Sequence, residues 1–307
     1  MHAIQLLGLI PIVSICVYRL VTLALNALSW QVVLPAEGRP GFPTLLRLRW
    51  IGESVNTLLP VASVGGDVAR ASLVASHGVP RAEAAASMMA DLVTGIVTQM
   101  LFGLSGALAL AQLLPPDQVG HRVLVKVVAG LTIATVTVMA LSILFHVGAA
   151  RLAARFLAGS GVHESWGKLA GGLKRLDQAL AALLARDRAI AACFLWHVAG
   201  WVSQVGETWM LLTLFGARVT LPIAFVVESM TSAARGAAFF VPSGVGVQEM
   251  TLLSMAKLTG IDMELALALG IAKRARELVL GVPGLLAWVV DKKWWRDLKA
   301  RRTNGDE

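Results

Sequence analysis

Hydrophobic residues occur along this chain in blocks too long for an ordinary soluble fold. Nearly continuous apolar stretches cover 4–34, 84–114, 123–147, 189–215 and 265–290. Each is long enough to cross a hydrocarbon core of about 30 Å, which takes ~20 helical residues. They lack the alternation of polar and apolar residues over ~10 positions that marks a barrel strand, so the pattern predicts an all-α polytopic membrane protein with about five full spans. Two further apolar stretches are broken at the centre, 45–76 by Pro60, Gly65 and Gly66, and 222–258 by Pro242, Gly244 and Gly246. Proline ends a helix and glycine permits the turn, so each is expected to form a re-entrant helical hairpin. The segment 148–188 sets Arg151, Arg155, Lys168, Lys174, Arg175, Arg186 and Arg188 among regularly spaced Leu and Ala, as an amphipathic surface helix would. Residues 1–290 therefore read as one membrane domain, followed by a basic tail over 291–307. The N-terminal stretch has neither a basic leader nor a small-residue cleavage pattern, and is expected to be a retained helix.

Composition sharpens this picture. Apolar residues make up 56% of the chain and charged residues only 15%, against about 25% in soluble domains. A net charge of +8 would suit nucleic acid in a soluble protein, but here the basic residues act first as topology signals, and no nucleic-acid partner is expected. If the basic regions 39–49, 151–188 and 292–302 all face the cytoplasm, parity requires one hydrophobic element between each pair to return to its side of entry. The broken stretches are the natural choice, one dipping in from each face. This predicts a multi-pass membrane protein with a cytoplasmic C-terminus, and Trp288, Trp294 and Trp295 at the level of an aromatic belt. Cys16 and Cys193 lie inside apolar segments and make neither a disulfide framework nor a metal site. With no HExxH, P-loop or CxxC pattern, neither a cofactor nor a metal is expected.

The broken stretches resemble one another at an offset of 182 residues, which lays Pro60 over Pro242 and Asp67 over Glu249. Each is followed by a full span, so the repeats cover about 44–114 and 222–290. An odd number of crossings between them would invert the second copy. Irregular backbone at this depth must line protein or a wet cavity, because hydrocarbon offers no hydrogen-bond partners. Asp67 and Glu249 have two readings. They cap the outgoing half-helices, or they form a polar midplane site. Glu53, Asn56, Asp67 and Arg70 in the first hairpin, and Glu228, Arg235 and Glu249 in the second, are costly in a bilayer unless paired or wet. Ser87, Asp91, Thr94 and Thr98 form one helical stripe, and His197, Trp201, Gln204 and Thr208 another. Lys273, Arg274, Arg276 and Glu277 interrupt the last span, with Lys273 and Glu277 at i,i+4 spacing. His197 reads as a hydrogen-bonded interhelical residue.

Four stretches carry a family resemblance: 56–67, 91–94, 240–249 (Phe-Val-Pro-Ser-Gly-Val-Gly-Val-Gln-Glu) and 273–288. Through them the chain resembles the transmembrane region of lysylphosphatidylglycerol synthases, and most of all the hopanoid-biosynthesis-associated (HpnL-like) integral membrane proteins. The resemblance implies a lipid-handling membrane domain, without the soluble aminoacyl-transferase half. One departure is that Val61 and Ala62 stand where the superfamily usually has glycines after the first proline. The function the resemblance implies is lipid translocation in the bacterial inner membrane, with membrane lipids as partners. Asp67, Arg70, Arg235 and Glu249 would contact headgroup or coupling ion, and Glu53, Asp91 and Arg276 would hold them in register. The alternatives are an intramembrane transferase acting on an isoprenoid or phospholipid headgroup, and a non-catalytic scaffold for lipid-biosynthesis enzymes.

Overall fold

The computed structural model describes residues 8–59, 65–113, 130, 164–238 and 244–303, with the backbone alone for 164–170, 173 and 292–303. Among the described residues there are nine helices and no strand. They are α1 (Leu9–Val33), α2 (Phe42–Leu58), α3 (Gly65–Ser76), α4 (Arg81–Leu113), α5 (Glu164–Leu184), α6 (Asp187–Leu214), α7 (Leu221–Ala237), α8 (Val247–Thr259) and α9 (Met263–Thr303).

Local chemistry accounts for many of the boundaries. Pro43 and Pro222 sit in the first turns of α2 and α7, where a missing N–H costs nothing. Gly260 ends α8 in the left-handed region at φ 74°, a conformation open to glycine at little cost. Each broken stretch does form two helices, α2 with α3 and α7 with α8. The prolines at their centres, Pro60 and Pro242, and the predicted span 123–147 lie outside the described residues.

Among the described residues, three helices are long and apolar enough to cross a membrane: Leu9–Val33, Arg81–Leu113 and Asp187–Leu214. The predicted span 265–290 is helical as part of α9, but Lys273, Arg274, Arg276 and Glu277 separate it from those three. The described part of the amphipathic segment forms α5, which buries Leu180 and Leu183 and exposes Lys174 and Arg175.

α1 packs along α6, α7 along α4, and α9 along α2, while α3 joins α2 to α4 and α8 joins α7 to α9. Small residues permit the close crossings. A Cβ at Gly106 of α4 would stand 1.7 Å from Ser229 Oγ of α7, and one at Gly284 of α9 would stand 2.0 Å from Ser54 Oγ of α2. This is the small-residue interface expected where lipid supplies no hydrophobic drive between helices. Along α1, Ile15, Leu23, Ala27 and Trp30 are buried, whereas Val13, Val17, Leu20 and Val21 are exposed. An apolar surface of that kind suits lipid as the surrounding medium.

Candidate functional site

Asp91 of α4 is the hub of a first ionic cluster. Its Oδ2 accepts from Arg49 of α2 at 2.7 Å and from both terminal nitrogens of Arg70 of α3 at 3.0 Å. Its Oδ1 accepts from Ser29 Oγ at 2.8 Å, and His197 Nε2 of α6 lies 3.0 Å from the same atom. Five helices thus converge on one carboxylate that is 1% exposed. Arg70 also donates to Asp67 at 2.7 Å, and its guanidinium carbon lies 4.7 Å from the centre of the Trp30 ring, in cation–π range. A second acid, Glu53, accepts from Arg19 at 2.9 Å and from Arg49 and Asn26 at 3.4 Å each.

The first hairpin brings its arms together tightly enough to build this cluster. A Cβ at Gly66 would lie 2.0 Å from Gly52 O, so only a hydrogen at that position lets the backbones meet. Asn56 then ties the arms together. Its Oδ1 accepts from the Gly66 N–H at 2.7 Å and its Nδ2 donates to Asp67 at 3.4 Å.

The Asp91, Cys193 and His197 donor atoms all lie within 4.8 Å of one another, close enough to share a cation. Arg49 and Arg70 already place two positive charges on Asp91. A dication added there would sit in buried space against both guanidiniums, so the three donors act as a hydrogen-bond set.

The second cluster joins α6, α7, α8 and α9. Glu228 accepts from Thr208 at 2.5 Å and is ion-paired with Lys273, both groups being buried. Glu207 of α6 pairs with Arg276 of α9. Arg235 donates to Gln248 Oε1 at 3.0 Å and pairs with Glu277 at 3.4 Å. Arg274 bridges Glu249 at 2.9 Å and Glu277 at 2.7 Å.

The two hairpin acids differ in what they do. Glu249 caps α8, accepting from the Gly246 N–H at 2.8 Å. At the start of α3 the Gly66 N–H is taken by Asn56 instead, and Asp67 is given to Arg70. Of the residues read from sequence, Asn56, Asp67, Arg70 and Asp91 meet directly, with Glu53 joined to them through Arg49. Arg235, Glu249 and Arg276 fall in the second cluster. The α4 and α6 stripes do face each other, with Trp201 Nε1 donating to Thr98 at 3.2 Å.

Two readings need correction. Arg49, counted with the cytoplasmic basic residues, is turned inward onto Asp91, where a buried carboxylate outweighs hydration. Lys273, spaced to meet Glu277, is paired with Glu228 because α7 presents that acid, while Glu277 is taken by Arg274 and Arg235. Arg19 and Glu207 were missed. Both are charges inside long apolar runs, a signal that was present in the sequence.

The apolar helices and their intramembrane charges define a multi-pass helical membrane protein. The chain belongs to the family of the lysylphosphatidylglycerol synthase TM region, which matches residues 2–284, and this ties it to lipid metabolism or transport. Neither the curated proteins nor the solved structures provide a match.

Proposed function

We propose that this chain is a lipid translocase of the bacterial inner membrane, of the HpnL-like subgroup, which moves a polar-headed, hopanoid-related lipid. The two hairpins form an inverted repeat and expose a shared polar site alternately to the two leaflets. Asp67, Arg70, Arg235 and Glu249 meet the headgroup or a coupling ion, and Glu53, Asp91 and Arg276 position them. The offset of 182 residues supports the repeat, since it also carries Gly65 onto Val247 and Arg81 onto Met263, the first residues of α3 and α8 and of α4 and α9. Packing partners correspond in the same way, α7 lying on α4 as α2 lies on α9.

One observation carries the reading. The charges do not form a sealed network. In the first cluster the Asp91 side chain is 1% exposed but Glu53 is 22%, and in the second Glu249 is 31% and Arg235 35% exposed. An ionised group at bilayer centre costs roughly 2.5–3.5 kcal/mol on insertion scales, so open edges on such a network mark a wet cavity rather than lipid.

Transbilayer movement of labelled lipid in proteoliposomes tests the proposal. Asp67→Asn and Glu249→Gln are each expected to slow it about tenfold or more, from the loss of charge-assisted hydrogen bonds of ~1.5–3 kcal/mol. Unchanged rates in folded protein would remove the site assignment, and chemically altered lipid would replace the translocase with a transferase.

A further inference from the structure

The offset of 182 residues reaches further than the hairpins. It lays α1 (Leu9–Val33) over 191–215, of which α6 (Asp187–Leu214) covers all but the last residue, so of the described helices α5 alone falls outside a four-helix unit. α1 and α6 pack on one another in opposite senses. Tyr18, Thr22 and Asn26 stand against Gly206, Ser203 and Gly200, with the Thr22 and Ser203 hydroxyls 3.0 Å apart. An axis that exchanges two antiparallel helices is perpendicular to both, and for two helices that cross a membrane it lies in the bilayer plane. The other helices sort about this pair. α1 lies against α2 and α9, and α6 against α7 and α4, with narrower contact from α1 to α4 and from α6 to α9. The offset exchanges these groups as wholes, α1 for α6, α2 for α7 and α9 for α4. Each group thus takes two helices from one half of the sequence and one from the other. The hairpin arms α3 and α8 each bridge the two groups.

Buried ion pairs cross from one group to the other at equivalent depths. Asp91 stands ten residues into α4 and Lys273 ten residues into α9, and the offset lays one over the other with opposite charge. Asp91 accepts from Arg49 of α2 at 2.7 Å, and Lys273 pairs with Glu228 of α7. The exchange turns the first pair of helices into the second, so one ion pair ties the groups towards each end. Glu207–Arg276 and Arg235–Glu277 cross beside the second tie. Apolar helix faces tilt on one another without losing directional bonds, whereas a buried ion pair is either made or broken, which makes it a latch. Resting on the translocase reading of the same charges, we infer that the chain rocks as two interleaved three-helix bundles, α1–α2–α9 against α4–α6–α7. The pivot is the α1–α6 crossing at Thr22 and Ser203, and Arg49–Asp91 and Glu228–Lys273 are the latches that release in turn at the two ends. The moving bodies are therefore not the two sequence repeats.

Distances between spin labels in the full-length protein, reconstituted in lipid, test this without any transport. Arg81 of α4 and Val290 of α9 lie at one end, where Gly38 sits against Gly78 and Arg47 pairs with Asp291. Leu113 of α4 and Met263 of α9 lie at the other, where Leu110, Ile261 and Leu265 share one apolar cluster. Both pairs span the bundles. Val21 with Val279 stays within the first bundle and Leu101 with Val202 within the second, and all eight positions are exposed. Labels are attached to cysteines introduced pairwise at these positions, with the parent chain as the blank. Lys273→Met with Glu228→Gln removes the second latch without stranding a charge. It is expected to add a Leu113–Met263 population longer by more than ~2 Å, the scale of helix shifts at interfaces, and to leave Arg81–Val290 as short or shorter. Arg49→Gln, which leaves Asp91 its Arg70 partner, should do the reverse. Both within-bundle distances should hold in every variant. Fixed distances at both ends, lengthening at both ends together, or movement within a bundle would each overturn the inference. Arg49→Gln keeps the test decisive if the double variant fails to fold. If the ends answer one another but labelled lipid does not cross, the bundles stand and the translocase reading falls, whereas lipid movement with fixed ends does the opposite.

Discussion

Lys273 and Glu228 face each other in buried space, and neither can be changed alone without leaving the other uncompensated. Breaking such a pair costs about 3–5 kcal/mol, mostly the penalty of the stranded charge. Lys273→Met is therefore expected to lower thermal stability in detergent sharply, and the double variant Lys273→Met, Glu228→Gln to recover most of the loss. An additive double variant would show that the two side chains do not share one energetic unit. The same logic applies to Asp91, whose carboxylate is the common acceptor for Arg49 and Arg70. Asp91→Asn is expected to destabilise more than Glu249→Gln, because Glu249 sits at a partly exposed helix start where water can replace the lost bonds. Matched melting curves of the two variants check this order. Most of these residues stood out in the sequence as ionic groups inside apolar runs. Their partners did not, since Asp91 and His197 are 106 positions apart.

At the scale of elements, glycine decides which helices approach closely. Gly106 meets Ser229 across the α4–α7 crossing, whereas an added Cβ at Gly171 of α5 has nothing within 4 Å among the described residues. Gly106→Val is expected to cost about 1–3 kcal/mol by overpacking. Gly171→Ala should be neutral, or stabilising by up to ~1 kcal/mol through helix propensity. Thermal shifts of equal size and sign in the two variants would contradict the assigned crossing. The helices themselves were legible from apolar length and from their punctuation by Pro and Gly, and both broken stretches divided as that punctuation indicates. The crossings were less so. A glycine against a serine 123 positions away looks in sequence like any other glycine of an apolar helix.

For the whole molecule, the proposed inversion makes a statement about sidedness. Arg81 begins α4, Asp262 immediately precedes α9, and both are exposed. In the proposed topology the first hairpin returns to the cytoplasm and the second to the opposite face. Arg81→Cys and Asp262→Cys are thus expected to react with a membrane-impermeant thiol reagent from opposite sides of oriented vesicles. Cys16 and Cys193, held within apolar helices, form the unreactive background. Labelling of both positions from one side would refute the inverted arrangement while leaving the ionic clusters in place.

The linear pattern by itself determined that the chain is helical and membrane-embedded, where two of its apolar stretches break, and which residues carry charge at a depth where charge is expensive. Those properties follow from local composition and from the length needed to cross hydrocarbon. Tertiary structure alone decided which charges meet. It turned Arg49 inward onto Asp91, gave Lys273 to Glu228 and joined Arg19 to Glu53. An ion pair between distant helices depends on which faces the packing brings together, and spacing along a single helix contains no information about its neighbour.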